Sequence, residues 1–433
     1  MPMLSINTTG TYFILIFIFM ATPTFAQETI QNKKNDTETF YGRIWIVKPG
    51  QNYAGILRKL EPGDELVLHE GVYDGNAIIN NSGSADKPIT IRGFGKGEAR
   101  PVLSWGGSGA IQGYQNTPLF QVNGSNIIFD YLEFRSKYAY SMRMGVSGKG
   151  TSNVTIKNSI FYECGGGCIS ANAPANYDKI TISDNYFIGP KATPVYIGQH
   201  DGKANVTGFA FKGNVVDGSQ IYGGSITGYG IELKLNVTNS IIENNYITNT
   251  KGPGIMVYGS EAPTPGNANM VRNNIVVGSR NDAGIVVGGG PSTVVENLLI
   301  GCLGGIEIMN YGNRNLLNNI VLESNTAVCN RNYGVAFGNI RNISAQNNVV
   351  IYTDSLLRKF VENPELSFSN KAYYASKDLD TLVQSKLIKI IPLRNNLKRI
   401  WLRLSSGPLS QSDVEEIMDL ILEYKIPVQI LNE

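Results

Sequence analysis

Two side chains that can bind and release protons, Glu232 and Lys234, lie two residues apart in the stretch Gly230-Ile-Glu-Leu-Lys234. Side chains of a β-strand alternate between its two faces, so the apolar residues are predicted to face a core while Glu232 and Lys234 point to solvent. A lysine that has lost its proton can act as a general base and remove a proton from a substrate. This strand is therefore the first place in the chain where chemistry is expected.

Two neighbouring stretches with the same alternation add polar and aromatic residues to this face. They are Pro194-Val-Tyr-Ile-Gly198 and Gly254-Ile-Met-Val-Tyr258. Two residues beyond the first stretch stands His200, one of only 2 histidines in the chain. Adjacent strands lie about 4.8 Å apart, so side chains from three coils can converge. The predicted patch consists of Tyr196, His200, Glu232, Lys234, Asn236 and Tyr258.

A single polar residue on such a surface is most often only solvated. The predicted patch brings a lysine, a histidine, a glutamate and two tyrosines to one face, and Gly198 and Gly288 leave room beside them. This convergence favours a functional site over an ordinary surface.

The strands that would carry the patch belong to a repeat in which an apolar segment ends in a polar turn with asparagine. The copies return roughly every 22 to 31 residues, which is the period of a solenoid coil. Each coil has inward apolar side chains that only the next coil can bury, and asparagines at one turn can hydrogen-bond along the stack. The copies end at Asn158, Asn185, Asn214, Asn245, Asn274, Asn297, Asn319 and Asn348.

A second motif, a glycine followed by an alternating strand, recurs with the same period as the first. Unrelated turns in a β-sandwich would not explain this shared period. Two motifs in step predict two sheets of an all-β fold, a right-handed parallel β-helix. The clear copies of the second motif begin at Gly230, Gly254, Gly284, Gly305 and Gly334.

The two ends of the chain differ in character from the repeat. A strand, a short helix from Ala54 to Leu60 and a second strand predict a cap on the first coil. At the other end, residues 356–433 predict a small α/β appendage that caps the last coil. The β-helix is expected over residues 43–355, as one long domain, although the length of 433 residues also allows two or three domains.

The N-terminal residues predict where in or outside the cell the protein is located. An apolar run from Tyr12 to Ala21 is followed by Thr24-Phe-Ala26, which predicts a signal peptide over residues 1–26 and a linker over residues 27–42. No Lys or Arg precedes the run, so an uncleaved membrane anchor is the alternative. The protein is expected to be secreted or periplasmic, with no membrane span after cleavage.

The net charge of the chain restricts the classes of molecule that it is expected to bind. A net charge of +2 is too balanced for a nucleic-acid binder that works by releasing counterions. A local basic cluster could still attract a polyanion. We expect a monomer that does not bind nucleic acid.

Two of the 4 cysteines are close together, in Cys164-Gly-Gly-Gly-Cys168. They could form a disulfide in an oxidising compartment, or remain two thiols in a turn. A metal pair is less favoured because no histidine or second cysteine pair lies near in sequence.

The segments Glu232-Leu-Lys234, Asn239-Ser-Ile-Ile-Glu-Asn-Asn245 and Gly254-Ile-Met-Val-Tyr-Gly259 resemble the core of the β-helical polysaccharide lyases, which include alginate lyases and chondroitinase B. The resemblance implies that Lys234 is the catalytic base. The family's acid is an arginine followed by a histidine on the next coil, where this chain has Val257-Tyr258. Its calcium is held by an asparagine and two glutamates. Only Glu232 is evident here, so calcium is a possible cofactor and no other cofactor is implied.

Cleavage of a uronate chain by β-elimination needs a base for the proton at C-5, a partner for the carboxylate and an acid for the leaving oxygen. We assign Lys234 as base and Tyr258 as acid, with His200 as a further catalytic residue that neutralises the carboxylate. Tyr196 is assigned to stack on a sugar ring. The remaining substrate-binding residues of the predicted patch are Asn236 and Glu232.

Three other functions stay open. A C-5 uronate epimerase begins with the same proton abstraction, and a non-catalytic carbohydrate-binding β-helix would also present a polar face. A glycoside hydrolase needs two carboxylates about 5 to 10 Å apart. It ranks third among the enzymes because Glu232 and Glu307 are predicted to lie three coils apart.

Overall fold

The computed structural model describes residues 42–352 except 96–98, 107–116, 219, 222–227, 262–265, 310–318, 329–332, 338–342 and 347, and it also describes residues 388–392. The predicted signal peptide over residues 1–26 and nearly all of the linker lie outside these residues. So does most of the predicted appendage over residues 356–433. Within the described part, the structure contains no helix long and apolar enough to span a membrane.

The described residues are almost entirely short β-strands. In chain order, the first twelve are β1 (Ile44–Val47), β2 (Glu65–Leu68), β3 (Val72–Asp74), β4 (Ala77–Ile79), β5 (Ile89–Gly93), β6 (Val102–Trp105), β7 (Phe120–Val122), β8 (Ile127–Asp130), β9 (Glu133–Ser136), β10 (Met142–Met144), β11 (Ser152–Lys157) and β12 (Ile160–Tyr162). The next twelve are β13 (Ile169–Ala171), β14 (Asn176–Ser183), β15 (Tyr186–Ile188), β16 (Val195–Ile197), β17 (Asn205–Thr207), β18 (Ala210–Lys212), β19 (Val215–Asp217), β20 (Ile231–Leu233), β21 (Val237–Thr238), β22 (Ile241–Glu243), β23 (Tyr246–Thr248) and β24 (Ile255–Val257). The last are β25 (Asn269–Arg272), β26 (Ile275–Val277), β27 (Ala283–Val287), β28 (Ser292–Val295), β29 (Leu298–Ile300), β30 (Gly304–Ile308), β31 (Ile320–Glu323), β32 (Thr326–Val328), β33 (Tyr333–Phe337), β34 (Ile343–Gln346), β35 (Asn348–Tyr352) and β36 (Ile388–Pro392).

These strands form three parallel sheets, because each coil contributes one strand to each sheet and each strand pairs with its equivalents in neighbouring coils. Sheet 1 runs β1-β2-β5-β8-β11-β14-β18-β22-β25-β28-β31-β34, with β17 and β21 beside it. Sheet 2 runs β3-β6-β9-β12-β15-β19-β23-β26-β29-β32-β35-β36. Sheet 3 runs β4-β7-β10-β13-β16-β20-β24-β27-β30-β33 and contains all five glycine-led strands of the sequence.

Sheet 2 is the one that the sequence did not reveal. Its strands are mostly three residues long and follow the asparagine turns directly, as Tyr186–Ile188 and Tyr246–Thr248 do. No glycine precedes these two strands, so the glycine motif that marks sheet 3 does not mark them. The prediction of two sheets was therefore incomplete.

An asparagine ladder connects the turns between sheets 1 and 2. Each amide nitrogen donates to the amide oxygen of the next coil at 2.8–3.1 Å, and the coils are 23 to 31 residues apart. Each amide also donates to a backbone carbonyl of the preceding coil, as Asn245 does to Phe211 at 2.9 Å. The ladder asparagines are buried, so these bonds satisfy polar groups that water does not reach. They are Asn185, Asn214, Asn245, Asn274, Asn297, Asn325 and Asn348.

Two ladder positions predicted from the sequence were wrong. Asn158 has a φ of 50° and occupies the left-handed position one residue before the ladder, where Ser159 follows it. Asn319, with a φ of 52°, lies ahead of β31, and the ladder residue of that coil is Asn325. Asparagine tolerates the left-handed conformation at turns outside the ladder as well, so an asparagine at a turn does not by itself identify the ladder residue.

The core lies inside the three sheets and is continuous along the helix. Ile231 and Leu233 are 0% and 1% exposed and belong to it, as the alternation predicted. Part of the core is a stack of phenylalanine rings with centroids 4.7, 5.0 and 5.9 Å apart. The stacked rings are those of Phe134, Phe161, Phe187 and Phe211.

The N-terminal coil is closed as predicted by a short helix, α1 (Tyr53–Leu57). Asn52 caps it, since its side chain accepts a hydrogen bond from the Gly55 backbone N–H at 2.9 Å. The buried face of α1, Tyr53 and Leu57, lies beside β4, the terminal strand of sheet 3. The helix thus covers a sheet edge that would otherwise be open.

Cysteines 164 and 168 are joined by a disulfide, which decides between the alternatives for this pair. Cys302 is buried. Cys329 lies outside the described residues.

Candidate functional site

Strand pairing in sheet 3 aligns one residue of each coil in a single line across the outer face of the sheet. Glu232 of β20 pairs with Tyr196 of β16 on one side and with Met256 of β24 on the other. We call this line the outer row. It contains Gln121, Arg143, Ser170, Tyr196, Glu232, Met256, Val286 and Glu307.

The side chains of the outer row point away from the core, but those at the centre of the sheet are not exposed to solvent. Glu232 is 1% exposed and Lys234 7%, so the expectation that both point to solvent was wrong. Alternation fixes only the face on which a side chain lies. This part of sheet 3 is covered on its outer face. Charged side chains that point away from the core are therefore still buried.

The buried charges are paired with each other. The Lys234 ammonium forms an ion pair with the Glu232 carboxylate and donates a hydrogen bond to the Tyr258 hydroxyl at 3.1 Å. The Tyr258 hydroxyl in turn hydrogen-bonds the carboxylate. We call these three residues the Lys234 cluster, and its members come from two adjacent coils.

Two tyrosine rings border the Lys234 ammonium. The Nζ atom lies 4.2 Å from the ring centre of Tyr258 and 5.3 Å from that of Tyr196. Ring faces carry partial negative charge and attract a cation where it is desolvated. The two rings therefore help to stabilise the Lys234 ammonium at a site from which most water is excluded.

Burial raises the pKa of the Glu232 carboxyl to about 7, although Lys234 and Tyr258 both oppose the shift. Burial also raises the pKa of Tyr196, and the charge of Glu232 adds to this effect. Glu232 thus exchanges its proton near neutral pH. Titration in this range is typical of groups that take part in proton transfer.

His200 connects the Lys234 cluster to the surface. It is exposed, and its ring centre lies 6.3 Å from that of Tyr258 in an edge-to-face arrangement at 87°. Tyr196 is half-buried between the same surface and the lysine. A ligand that binds at these two side chains would meet Tyr258 and Lys234 next.

Asn236 lies beside the cluster, but its amide is used by neighbouring turns. It donates to the Gly202 carbonyl at 3.0 Å and accepts from the Glu261 backbone N–H at 3.2 Å. Its φ of 61° places it in the left-handed region that asparagine tolerates. The structure therefore gives Asn236 a role in joining loops, while its predicted contact with substrate stays a prediction.

Gly198 leaves room for the lysine, as expected. Its φ is +84°, and a Cβ atom there would lie 3.1 Å from the Cβ of Lys234 and 2.7 Å from a methyl group of Val237. A larger residue would displace the Lys234 stem. The structure thus brings Tyr196, Glu232 and Tyr258 together around Lys234, with His200 beside Tyr258.

Three residues of this face were missed by sequence reasoning, namely Tyr140, Arg143 and Ser170. Arg143 lies between the inward-facing Met142 and Met144, so the alternation that placed Glu232 would have found it as well. The Arg143 guanidinium lies 5.6 Å from the ring centre of Tyr140. The short strand β10 has no leading glycine, so the glycine motif does not mark it.

The residues present do not fit the calcium site that the resemblance implies. Among the described residues, no three His, Cys, Asp or Glu side chains come together. Glu232 has Tyr196 and Met256 as its neighbours in the outer row, and neither offers the carboxylate or amide oxygen that calcium prefers. Its own carboxylate is engaged by Lys234.

Glu307 does lie three strands from Glu232, as predicted. Three steps of about 4.8 Å separate the two strands by roughly 14 Å. That exceeds the spacing of a glycosidase carboxylate pair, which is at most about 9.5 Å. These two residues are therefore not such a pair.

Residues 211–356 match the model of the right handed β-helix region family. No curated protein matches the chain. Among solved structures, an alginate lyase from Paenibacillus sp. strain FPU-7 is 16% identical, with 71% of this chain and 93% of that chain covered and a TM-score of 0.39.

Two further structures have comparable likeness. A mannuronic acid specific family 6 polysaccharide lyase from human gut microbiota is 13% identical, over 88% of this chain and 99% of that chain, with a TM-score of 0.37. The Dettilon tailspike protein is 13% identical, over 69% and 50%, with a TM-score of 0.40. At TM-scores below 0.5 none of these carries an argument about activity. The parallel sheets and the match over residues 211–356 identify the fold as a right-handed parallel β-helix.

Proposed function

We propose that the protein is a secreted or periplasmic polysaccharide lyase that cleaves a uronate-containing polymer by β-elimination at the Lys234 cluster. One observation carries the proposal. A lysine, a tyrosine hydroxyl and a carboxyl group with a pKa near neutral share hydrogen bonds directly beneath the surface formed by Tyr196 and His200.

The cluster can supply each proton that the reaction moves. Lys234 first passes a proton to the Glu232 carboxylate, which holds one near neutral pH, and the neutral amine then removes the proton at C-5. The C–O bond to the next sugar breaks as the double bond forms, and the Tyr258 hydroxyl protonates the leaving oxygen. The phenolate regains its proton from the Lys234 ammonium, to which it is hydrogen-bonded at 3.1 Å. Atoms and charges balance over the cycle.

The substrate carboxylate must be neutralised for the carbanion-like state to form. His200 is exposed next to Tyr258, and its ring N–H can donate a hydrogen bond to a carboxylate. Tyr196 offers a half-buried ring for a sugar face. An acidic polysaccharide is therefore the substrate class that this surface suits best.

The test is a panel of uronate polymers assayed for the ultraviolet absorbance of an unsaturated product. We expect the wild-type protein to cleave at least one of them, and Tyr258→Phe to lower the rate about 10²- to 10⁴-fold, as expected for loss of a general acid. Tyr186→Phe, an exposed tyrosine on sheet 2, is the control and should have no effect.

The same panel separates the rival functions. An epimerase would exchange the C-5 proton with deuterium from solvent and change the sugar composition without forming unsaturated ends. A carbohydrate-binding protein would bind a polymer and do neither. Either result would contradict the lyase proposal.

A further inference from the structure

Arg143 lies in the outer row two strands before Tyr196, at a place that the proposed reaction does not use. It is half-buried, and burial lowers the pKa of its guanidinium. The guanidinium also lies over the ring of Tyr140, 5.6 Å from its centre. A partly desolvated arginine against an aromatic ring binds a carboxylate with two parallel hydrogen bonds more strongly than an exposed arginine does.

Ser170 lies between Arg143 and Tyr196 in the same row. It is 0% exposed, and its hydroxyl has no hydrogen-bond partner among the described residues. A buried hydroxyl without a partner is unfavourable in the unliganded protein. An orphaned donor of this kind is explained where a ligand supplies the missing acceptor.

The outer row differs on the two sides of the Lys234 cluster. On the N-terminal side it offers Tyr196, Ser170 and Arg143, and it becomes open to solvent, with Ile78 43% exposed at its end. On the C-terminal side the next two positions are Met256 and Val286, which are apolar and 0% exposed. Among the described outer-row positions next to the Lys234 cluster, those on the N-terminal side therefore offer partners to a polar polymer, and Met256 and Val286 do not.

From Arg143 to Glu232 there are three strand steps of about 4.8 Å, or roughly 14 Å. This is long enough for a few sugar units that lie along the helix axis, across the strands. We infer that Arg143 and Ser170 form a substrate subsite for the carboxylate of a second uronate unit, on the N-terminal side of the reacting one. The inference rests on the proposed function in one respect, that the reacting unit lies over Lys234.

The subsite can be tested by binding alone. Uronate disaccharides and octasaccharides are titrated calorimetrically into Tyr258→Phe protein, which should not cleave them. Adding Arg143→Ala should weaken octasaccharide binding at least 10-fold and leave disaccharide binding unchanged. The loss should disappear when the octasaccharide carboxyl groups have been reduced to alcohols.

Two further variants make the test specific. Arg135 on sheet 2 lies over the ring of Tyr162 at 5.2 Å, as Arg143 lies over Tyr140, so Arg135→Ala is a matched control that should change nothing. Ser170→Ala should weaken octasaccharide binding several-fold with no fall in melting temperature, because its hydroxyl has no protein bond to lose.

Unchanged octasaccharide binding in the Arg143→Ala protein would overturn the subsite, and so would an equal loss for the disaccharide. The two proposals can fail separately. A wild-type protein that cleaves no uronate polymer, yet loses octasaccharide binding with Arg143→Ala, retains the subsite and refutes the lyase. Cleavage with no Arg143 effect refutes the subsite alone.

Discussion

Two buried glutamates on different sheets have opposite environments. Glu243 on sheet 1 accepts from Arg272 Nε at 2.7 Å and pairs with Lys212 at 3.0 Å, and both cations reach water. Glu232 on sheet 3 has one cation, Lys234, which is itself buried. Burial alone would raise both pKa values. The two cations outweigh it for Glu243, whose pKa is lowered, whereas the pKa of Glu232 is raised to about 7.

The comparison separates an ion pair that keeps its carboxylate ionised from one that does not. A carboxylate between two hydrated cations stays ionised and holds three coils together at the surface. A carboxylate buried with a single buried lysine is poorly stabilised as an ion and can gain or lose a proton during a reaction. The variants of Lys234 and Glu232 therefore have their controls in the variants of Lys212 and Glu243.

The largest difference in stability is expected when the lysine partner of each glutamate is removed. Lys234→Met leaves Glu232 buried without its cation and so raises the pKa of the carboxyl further, which should cost about 3–5 kcal/mol in the free energy of unfolding at alkaline pH. Lys212→Met leaves Arg272 in place and should cost less than about 1 kcal/mol. Urea denaturation monitored by circular dichroism measures both. Equal losses would mean that the two pairs are alike.

Lys234→Met should also abolish elimination, whereas Lys212→Met should not affect it. The double variant Lys234→Met/Glu232→Gln removes the stranded carboxyl and should recover much of the stability without any activity. Restored activity in that double variant would show that Lys234 is not the base.

A difference of sign is expected in the pH dependence of stability. The raised pKa of Glu232 means that the folded protein binds this proton more tightly than the unfolded chain, so its contribution to the unfolding free energy falls as pH rises from about 4.5 to about 7. The lowered pKa of Glu243 has the opposite consequence, a contribution that is lost as pH falls below about 4.5. Glu232→Gln and Glu243→Gln should each remove one of these slopes in denaturation curves recorded both above and below about pH 4.5. Identical pH profiles for the two variants would contradict the assignment.

The smallest effect is expected at the surface. His200→Ala removes an exposed side chain and should not alter stability, but it should weaken turnover of a charged polymer several-fold. Added salt should shrink the difference from wild type, because it screens exposed charges. His69→Ala, the other histidine, is the control and should leave turnover unchanged. A salt-independent loss would argue against carboxylate binding by His200.

Alternation along a strand was sufficient to predict the row that contains Tyr196 and Glu232, since it depends only on the two-residue period. It could not predict that Glu232 is buried, because coverage of an outer face depends on parts of the chain that are distant in sequence. The raised pKa of Glu232 follows from that burial and was hidden for the same reason. The hydrogen bonds of Asn236 to Gly202 and Glu261 join three loops, and no local pattern encodes them.

The asparagine ladder has a consequence for how the protein can change in evolution. Its rungs are separated by 23 to 31 residues, yet each coil advances the stack by the same strand spacing of about 4.8 Å. Distance along the axis is therefore counted in coils and does not depend on the number of residues in each. Insertions within a turn can reshape the surface beside Lys234 while its separation from Arg143 stays constant, whereas loss of a whole coil between them would shorten that separation by one step.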